Sequence, residues 1–243
     1  KKNINFLEKV LLDIASTDLI VLPEMFTTGF SMNAAKISEP KFGDTFQWMK
    51  RMAKELDTTI LGSIPTVDNN KFYNRLYVVS GENFYHYDKR HLFSMANENI
   101  AYSPGNSELI IELKGFKIKF LICYDLRFPV WSRNRVIDNS YDYDLLIYIA
   151  NWPSLRSNAW IDLLKARAIE NLSYVIGLNR VGSDGNGVKY NGSSRAFDFK
   201  GERLDEFKDD IFYIQHISLD KKRLNEFRGK FPALNDADKF SIS

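Results

Sequence analysis

The chain has one cysteine, Cys123, placed where a nucleophile could act. It ends the apolar stretch 117–123 (KIKFLIC) and precedes Tyr124-Asp125-Leu126-Arg127-Phe128-Pro129. Strand ends of this kind are where α/β sheets tend to place active sites. A thiol reacts as the thiolate, so it needs a lowered pKa or an adjacent base. Lys89, within Tyr87-Asp88-Lys89-Arg90-His91, could supply a cation, and Glu24, ending the stretch 18–24 (DLIVLPE), could supply the base. Each residue alone also has a plain structural reading. The cysteine can be a small buried hydrophobe, the lysine a solvated charge, and the glutamate a helix cap or ion-pair partner. The three histidines, His86, His91 and His216, are poorly spaced for a zinc site. No metal and no organic cofactor is expected.

The elements that would carry these residues follow from hydrophobic periodicity. Ile4, Leu7, Leu11 and Ile14 recur at helical spacing and predict an amphipathic helix over 3–15. Apolar runs predict strands at 18–24, 58–64, 76–80, 84–87, 117–123, 145–150 and 174–178. Ile161, Leu164, Ala168 and Leu172 mark a second helix. The alternation of buried strands with amphipathic helices predicts an α/β fold. Residues 183–194 (SDGNGVKYNGSS) read as a loop rather than a linker, so residues 1–243 are expected to form a single domain.

Composition narrows the class. Of the 243 residues, 44% are hydrophobic and 26% charged, the balance of a soluble globular protein. A net charge of +2 with scattered basic residues gives no case for nucleic acid. No apolar run is long enough to span a membrane, and the first residues lack the pattern of a secretory signal. A lone cysteine favours a reducing compartment, so a cytoplasmic enzyme is expected.

Taken together, Leu22-Pro23-Glu24-Met25-Phe26, Asp88-Lys89-Arg90-His91-Leu92-Phe93 and Cys123-Tyr124-Asp125-Leu126-Arg127-Phe128-Pro129 resemble the nitrilase (carbon–nitrogen hydrolase) superfamily. Glu24 and Lys89 stand 65 positions apart and Lys89 and Cys123 stand 34 apart, in the family's order. Supporting blocks are Asn151-Trp152-Pro153, Arg167-Ala168-Ile169-Glu170-Asn171 and Gly177-Leu178-Asn179-Arg180-Val181-Gly182. The flanks of Cys123 and the tail from Phe227 to Asp238 are similar to the bacterial omega-amidase branch, which hydrolyses 2-oxo acid monoamides such as 2-oxoglutaramate and 2-oxosuccinamate.

The resemblance implies a four-layer α-β-β-α sandwich that commonly forms homodimers or larger homo-oligomers. It implies Glu24 as general base, Lys89 as stabilising cation, Cys123 as nucleophile, and the backbone N–H of Tyr124 as an oxyanion donor. Glu98 is the candidate for a second glutamate beside the lysine, or else a solvated loop acid. Phe26 and Trp152 could wall the acyl pocket or be core packing. Arg127 could bind a substrate carboxylate or sit in a structural ion pair, while Arg167 and Glu170 read as a structural pair on one helix. The family opens with a strand before its first helix, whereas this sequence opens in the helix, so the N-terminal strand is expected to be missing. Carbamoyl-amine hydrolase, nitrilase and aliphatic amidase activities share the same triad. A non-catalytic binding module would be expected to lack a triad residue, and none is lacking. The amide-hydrolysing half of an ammonia-channelling synthetase would bring a phosphate-cradling glycine-rich loop, which the sequence does not contain.

Overall fold

The computed structural model describes residues 2–138 and 140–242. Helix α1 (Lys2–Leu12) buries Leu11 and leans Ile4 and Leu7 on the core, as the apolar spacing predicts. Strand β1 (Leu19–Val21) follows, then helix α2 (Asp44–Glu55). β1 runs parallel to β2 (Thr59–Asp68), which pairs antiparallel with β3 (Lys71–Ser80), and β3 pairs antiparallel with β4 (Asn83–Asp88). The two-residue strand Glu39–Pro40 pairs parallel with Thr66 and Val67 of β2, along the same edge as β1.

A second five-stranded sheet contains β5 (Ile110–Leu113), β6 (Phe116–Ile122), β7 (Leu145–Ala150), β8 (Tyr174–Asn179) and β9 (Arg195–Phe197). The three middle strands β6, β7 and β8 are parallel, with antiparallel β5 and β9 at the edges. All six residues of β7 are buried, as expected of a parallel strand covered on both faces.

Alternation along the strands builds the layers. Leu61, Leu76 and Val78 of the first sheet pack against Phe120, Ile122 and Leu146 of the second. Ile60, Ile64, Tyr77 and Val79 point the other way, onto Trp48, Met49 and Met52 of α2. Helix α3 (Ser157–Asn171) covers the outer face of the second sheet with Trp160, Leu164 and Ala168. It sits close because Gly177 has no Cβ: one placed there would lie 2.3 Å from Cδ1 of Leu164. The order of layers is therefore α-β-β-α, as expected.

Several boundaries differ from the sequence reading. The stretch 18–24 yields a strand of only three residues, because Pro23 lacks an N–H and the backbone turns left-handed at Met25 (φ 45°). β2 and β3 reach ten residues each, past the apolar runs, because Asn69 and Asn70 both adopt positive φ (49° and 60°) and close a two-residue hairpin. Among the described residues the first element is α1. β1 borders a groove of about 1290 Å³, lined also by α1 and residues 211–219. Among the described residues no helix is long and apolar enough to cross a membrane.

Candidate active site

β6 ends at Ile122, and Cys123 opens a 3-10 turn, Cys123–Arg127, in left-handed backbone (φ 46°). Such a conformation costs free energy in a residue with a Cβ and persists only where the surroundings impose it. Here the turn is held from both sheets. The buried Asp125 carboxylate accepts from the Ile122 N–H (3.0 Å), the Tyr87 hydroxyl (2.7 Å) and the His91 N–H (3.0 Å). Arg167 on α3 donates to the Leu126 carbonyl at 2.7 Å. Cys123 itself is part-exposed.

Glu24 follows β1 and reaches across to the second sheet. Its Oε1 accepts from Asn74 (2.7 Å) and Lys89 (3.0 Å), and its Oε2 from the Asn151 N–H (2.7 Å). The Asn151 side-chain amide donates to the Glu24 carbonyl at 2.7 Å. Lys89, just after β4, also donates to both Glu98 oxygens, at 3.0 and 2.9 Å. Glu98 is fixed in turn by the Phe93 N–H at 2.6 Å. The side chains of Glu24, Lys89 and Glu98 have no solvent exposure. Burial penalises charge, but pairing and hydrogen bonding offset much of that cost.

The charges set one another's protonation. For Lys89, burial is the largest influence and acts downward, yet Glu24 and Glu98 together hold the ammonium well above its ordinary value, so it stays charged. Burial raises the Glu98 carboxyl, with Lys89 pulling it down and Glu24 pushing it up. The Cys123 thiol is pushed well above the cysteine range, first by burial and then by the negative Glu24, against the downward pull of Lys89. The resting thiol is thus protonated and needs a base at the moment of attack.

A closed circuit of contacts joins the turn that Cys123 opens. Arg127 lies over the Trp152 ring (5.1 Å), and the Trp152 indole N–H donates to the Arg156 carbonyl (2.8 Å). The Arg156 guanidinium lies over Phe93 (5.4 Å), and Phe93 meets the Tyr124 ring edge-on (5.0 Å). Tyr124 then leads through the 3-10 turn back to Arg127.

The structure brings Glu24, Lys89, Glu98 and Cys123 together, with Tyr124 and Arg127 on the turn that Cys123 opens and the buried Trp152 beneath Arg127. Glu98 is fully buried, so its reading as a solvated loop acid is overturned. Phe26 packs on Trp48 at 5.9 Å in the core beneath α2, which is its core-packing alternative. The left-handed turn at Met25 sends it to the helix side of the sheet. Arg127 has no ion pair among the described residues and lies over Trp152. Arg167 and Glu170 do pair, at 2.9 Å. The sequence reading passed over Asn74, and recorded Asp125 and Asn151 only as parts of motifs. A polar Asn74 amid the apolar β3 run was the available signal.

The carbon–nitrogen hydrolase family model matches residues 6–223, and the chain belongs to that family. It is accordingly a hydrolase of carbon–nitrogen bonds. It is 45% identical over 241 residues to the omega-amidase YafV of Escherichia coli (strain K12), covering 99% of this chain and 92% of that protein. It is 32% identical to a 2-oxoglutaramate amidase of Bacillus subtilis (strain 168), over 98% of this chain and 91% of that one. The crystal structure of XC1258 from Xanthomonas campestris, a CN-hydrolase superfamily protein with an arsenic adduct in its active site, superposes with a TM-score of 0.94. The two are 40% identical, over 100% of this chain and 93% of that one.

Proposed function

We propose that the chain is a cysteine-dependent omega-amidase that hydrolyses the terminal amide of 2-oxo acid monoamides, 2-oxoglutaramate and 2-oxosuccinamate among them, to the acid and ammonia. The convergence of a buried glutamate, a buried lysine and a protonated thiol on one strand end carries the reading; likeness to amidases of that substrate class supports it. Glu24 takes the Cys123 proton as Sγ attacks the amide carbon. The developing oxyanion accepts from Lys89 Nζ and the Tyr124 backbone N–H, donors placed where negative charge forms. As the tetrahedral species collapses, Glu24 returns the proton to the leaving nitrogen, and ammonia departs from a thioester. Glu24 then deprotonates a water that attacks the thioester, and the freed thiolate recovers the proton. Lys89 remains charged throughout, and Glu98 holds it in position. Trp152 walls the acyl pocket and Arg127 meets the far carboxylate, which would be costly to bury unpaired. The same proposal treats residues 1–243 as one domain, paired with a second copy in the cytoplasm; light scattering at the monomer mass would exclude the pairing.

The test is ammonia release from 2-oxoglutaramate, 2-oxosuccinamate, glutamine, valeramide, N-carbamoyl amines and simple nitriles. The 2-oxo acid monoamides are expected to exceed valeramide in kcat/KM by at least ~10-fold, or ~1.4 kcal/mol of transition-state preference. Equal rates for valeramide and 2-oxoglutaramate would overturn the substrate assignment while leaving the Glu24, Lys89 and Cys123 mechanism in place.

A further inference from the structure

We infer that Arg156 is a specificity-determining residue of this site, its guanidinium joining that of Arg127 to receive the carboxylate at the end of the substrate remote from the amide. The inference rests on the proposed function, since it names what reads the carboxylate of that substrate class.

The circuit of contacts locates the residue. Phe93 links Arg156 to the chemistry in two directions: its backbone N–H holds Glu98 at 2.6 Å, and its ring lies beneath the Arg156 guanidinium at 5.4 Å while meeting Tyr124 edge-on at 5.0 Å. Trp152 links Arg156 to Arg127, donating to the carbonyl of one and carrying the guanidinium of the other. Each guanidinium therefore stands over a ring tied to the turn that bears Cys123, Trp152 through Arg127 itself and Phe93 through Tyr124.

Most other arginines with described contacts are committed. Arg75, Arg135, Arg203 and Arg228 each hold an aspartate, and Arg167 holds Glu170. Arg180 donates to the Val181 and Ser183 carbonyls (3.4 and 3.2 Å). Arg127 and Arg156 have no ion pair among the described residues; each has only a ring beneath it. A guanidinium stacked on an aromatic face keeps its in-plane N–H donors available for a bidentate carboxylate. Arg156 is also the less exposed of the two, so its hydrogen bonds to an anion are less diluted by water. Its backbone is anchored on both sides: its N–H donates to the Pro153 carbonyl at 3.0 Å, and its carbonyl accepts from Trp152. A pre-positioned cation loses little entropy on binding.

The experiment compares kcat/KM for 2-oxoglutaramate and valeramide in wild type, Arg156→Gln, Arg156→Lys and Arg127→Gln. Wild type is expected to favour 2-oxoglutaramate by at least ~10-fold. Arg156→Gln is expected to cut that ratio at least ~10-fold, chiefly by raising KM for 2-oxoglutaramate. Arg156→Lys should recover part of the loss, and Arg127→Gln should have the smaller effect. If wild type favours 2-oxoglutaramate and Arg156→Gln preserves the ratio, the role of Arg156 is overturned and the substrate reading stands. An equal fall for both substrates marks Arg156 as structural and also overturns the inference. A wild-type ratio near one removes the substrate reading itself.

Discussion

Replacing Lys89 by methionine separates the electrostatic and chemical roles of the site. In the native protein the ammonium lies 3.0 Å from a Glu24 oxygen and 2.9 Å from a Glu98 oxygen. Those two oxygens are therefore no more than about 6 Å apart. Their mutual repulsion, about 3 kcal/mol at an effective dielectric of ~20, is present with or without the cation. What the substitution removes is the ammonium's attraction, about 5–6 kcal/mol for each carboxylate at this separation and the same dielectric. With the repulsion left unopposed, one carboxyl keeps its proton to a higher pH and Glu24 is weakened as a base there. The acid limb of kcat/KM against pH should move up by about two units or more, on top of the ~10²–10³-fold loss from one missing oxyanion donor. Stability follows the same sign. A carboxyl raised above its unfolded value supports the fold fully below pH ~4.3, and that support fades as pH rises through the raised value. Lys89→Met should therefore lose stability relative to wild type as pH increases. The double variant Lys89→Met/Glu98→Gln removes the repulsion without restoring the donor. It should bring the acid limb part of the way back while leaving the rate low, and it guards against a single variant that fails to fold. Ammonia release from 2-oxoglutaramate between pH 5 and 9, with thermal melts at the same pH values, reads all of this. A Lys89→Met enzyme within about tenfold of wild-type kcat/KM and with an unmoved acid limb would refute the reasoning.

Other outcomes follow from the same geometry. Iodoacetamide should inactivate the protein with one label per chain on Cys123, visible by mass spectrometry and slowed by substrate, while Cys123→Ala should fold normally and turn over at background; real turnover by that variant would end the thioester mechanism. Because burial and Glu24 raise the thiol pKa, the alkylation rate of resting enzyme should still be climbing past pH ~8.5, the usual cysteine midpoint; a plateau below pH 8 would mean a preformed thiolate. Gly177→Ala would set a Cβ 2.3 Å from Leu164 and should cost about 1–3 kcal/mol by overpacking, seen as a lowered Tm, with an unchanged Tm contradicting the close approach of α3.

The strand ends that carry Glu24, Lys89 and Cys123 were legible because apolar runs stop abruptly at those residues, and the motif order tied them together. Helix α2 was missed although Phe46, Trp48, Met49, Met52 and Ala53 are buried at helical spacing; polar and basic residues between them masked the periodicity. The burial of Glu98 could not be read locally, since a carboxylate in a loop is ordinarily solvated. Lys89 and Asn74, brought in by the tertiary fold, together with the nearby Phe93 N–H make its interior position tolerable. Phe26 was left open for the opposite reason. Its neighbours in sequence are catalytic candidates, but one left-handed residue at Met25 moves it to the other side of the sheet.

Why the site spends three buried ionisable groups on one thiol follows from the charge count. A lysine beside the thiol with no acid would favour a standing thiolate, reactive toward any electrophile that reached it. Glu24 alone with the thiol would leave a buried carboxylate without a counterion. Glu24 and Glu98 around Lys89 make the cluster net negative, which keeps the thiol protonated until an amide is in place. The Asn74 amide, bonded to Glu24 at 2.7 Å and to Glu98 at 3.2 Å, lets two carboxylates share this space. As the oxyanion forms, Lys89 Nζ gains a new anion to stabilise just when Glu24 loses its charge to the thiol proton. The number of negative charges around Lys89 is then the same before and after attack, so little of the surrounding protein has to reorganise during the chemical step.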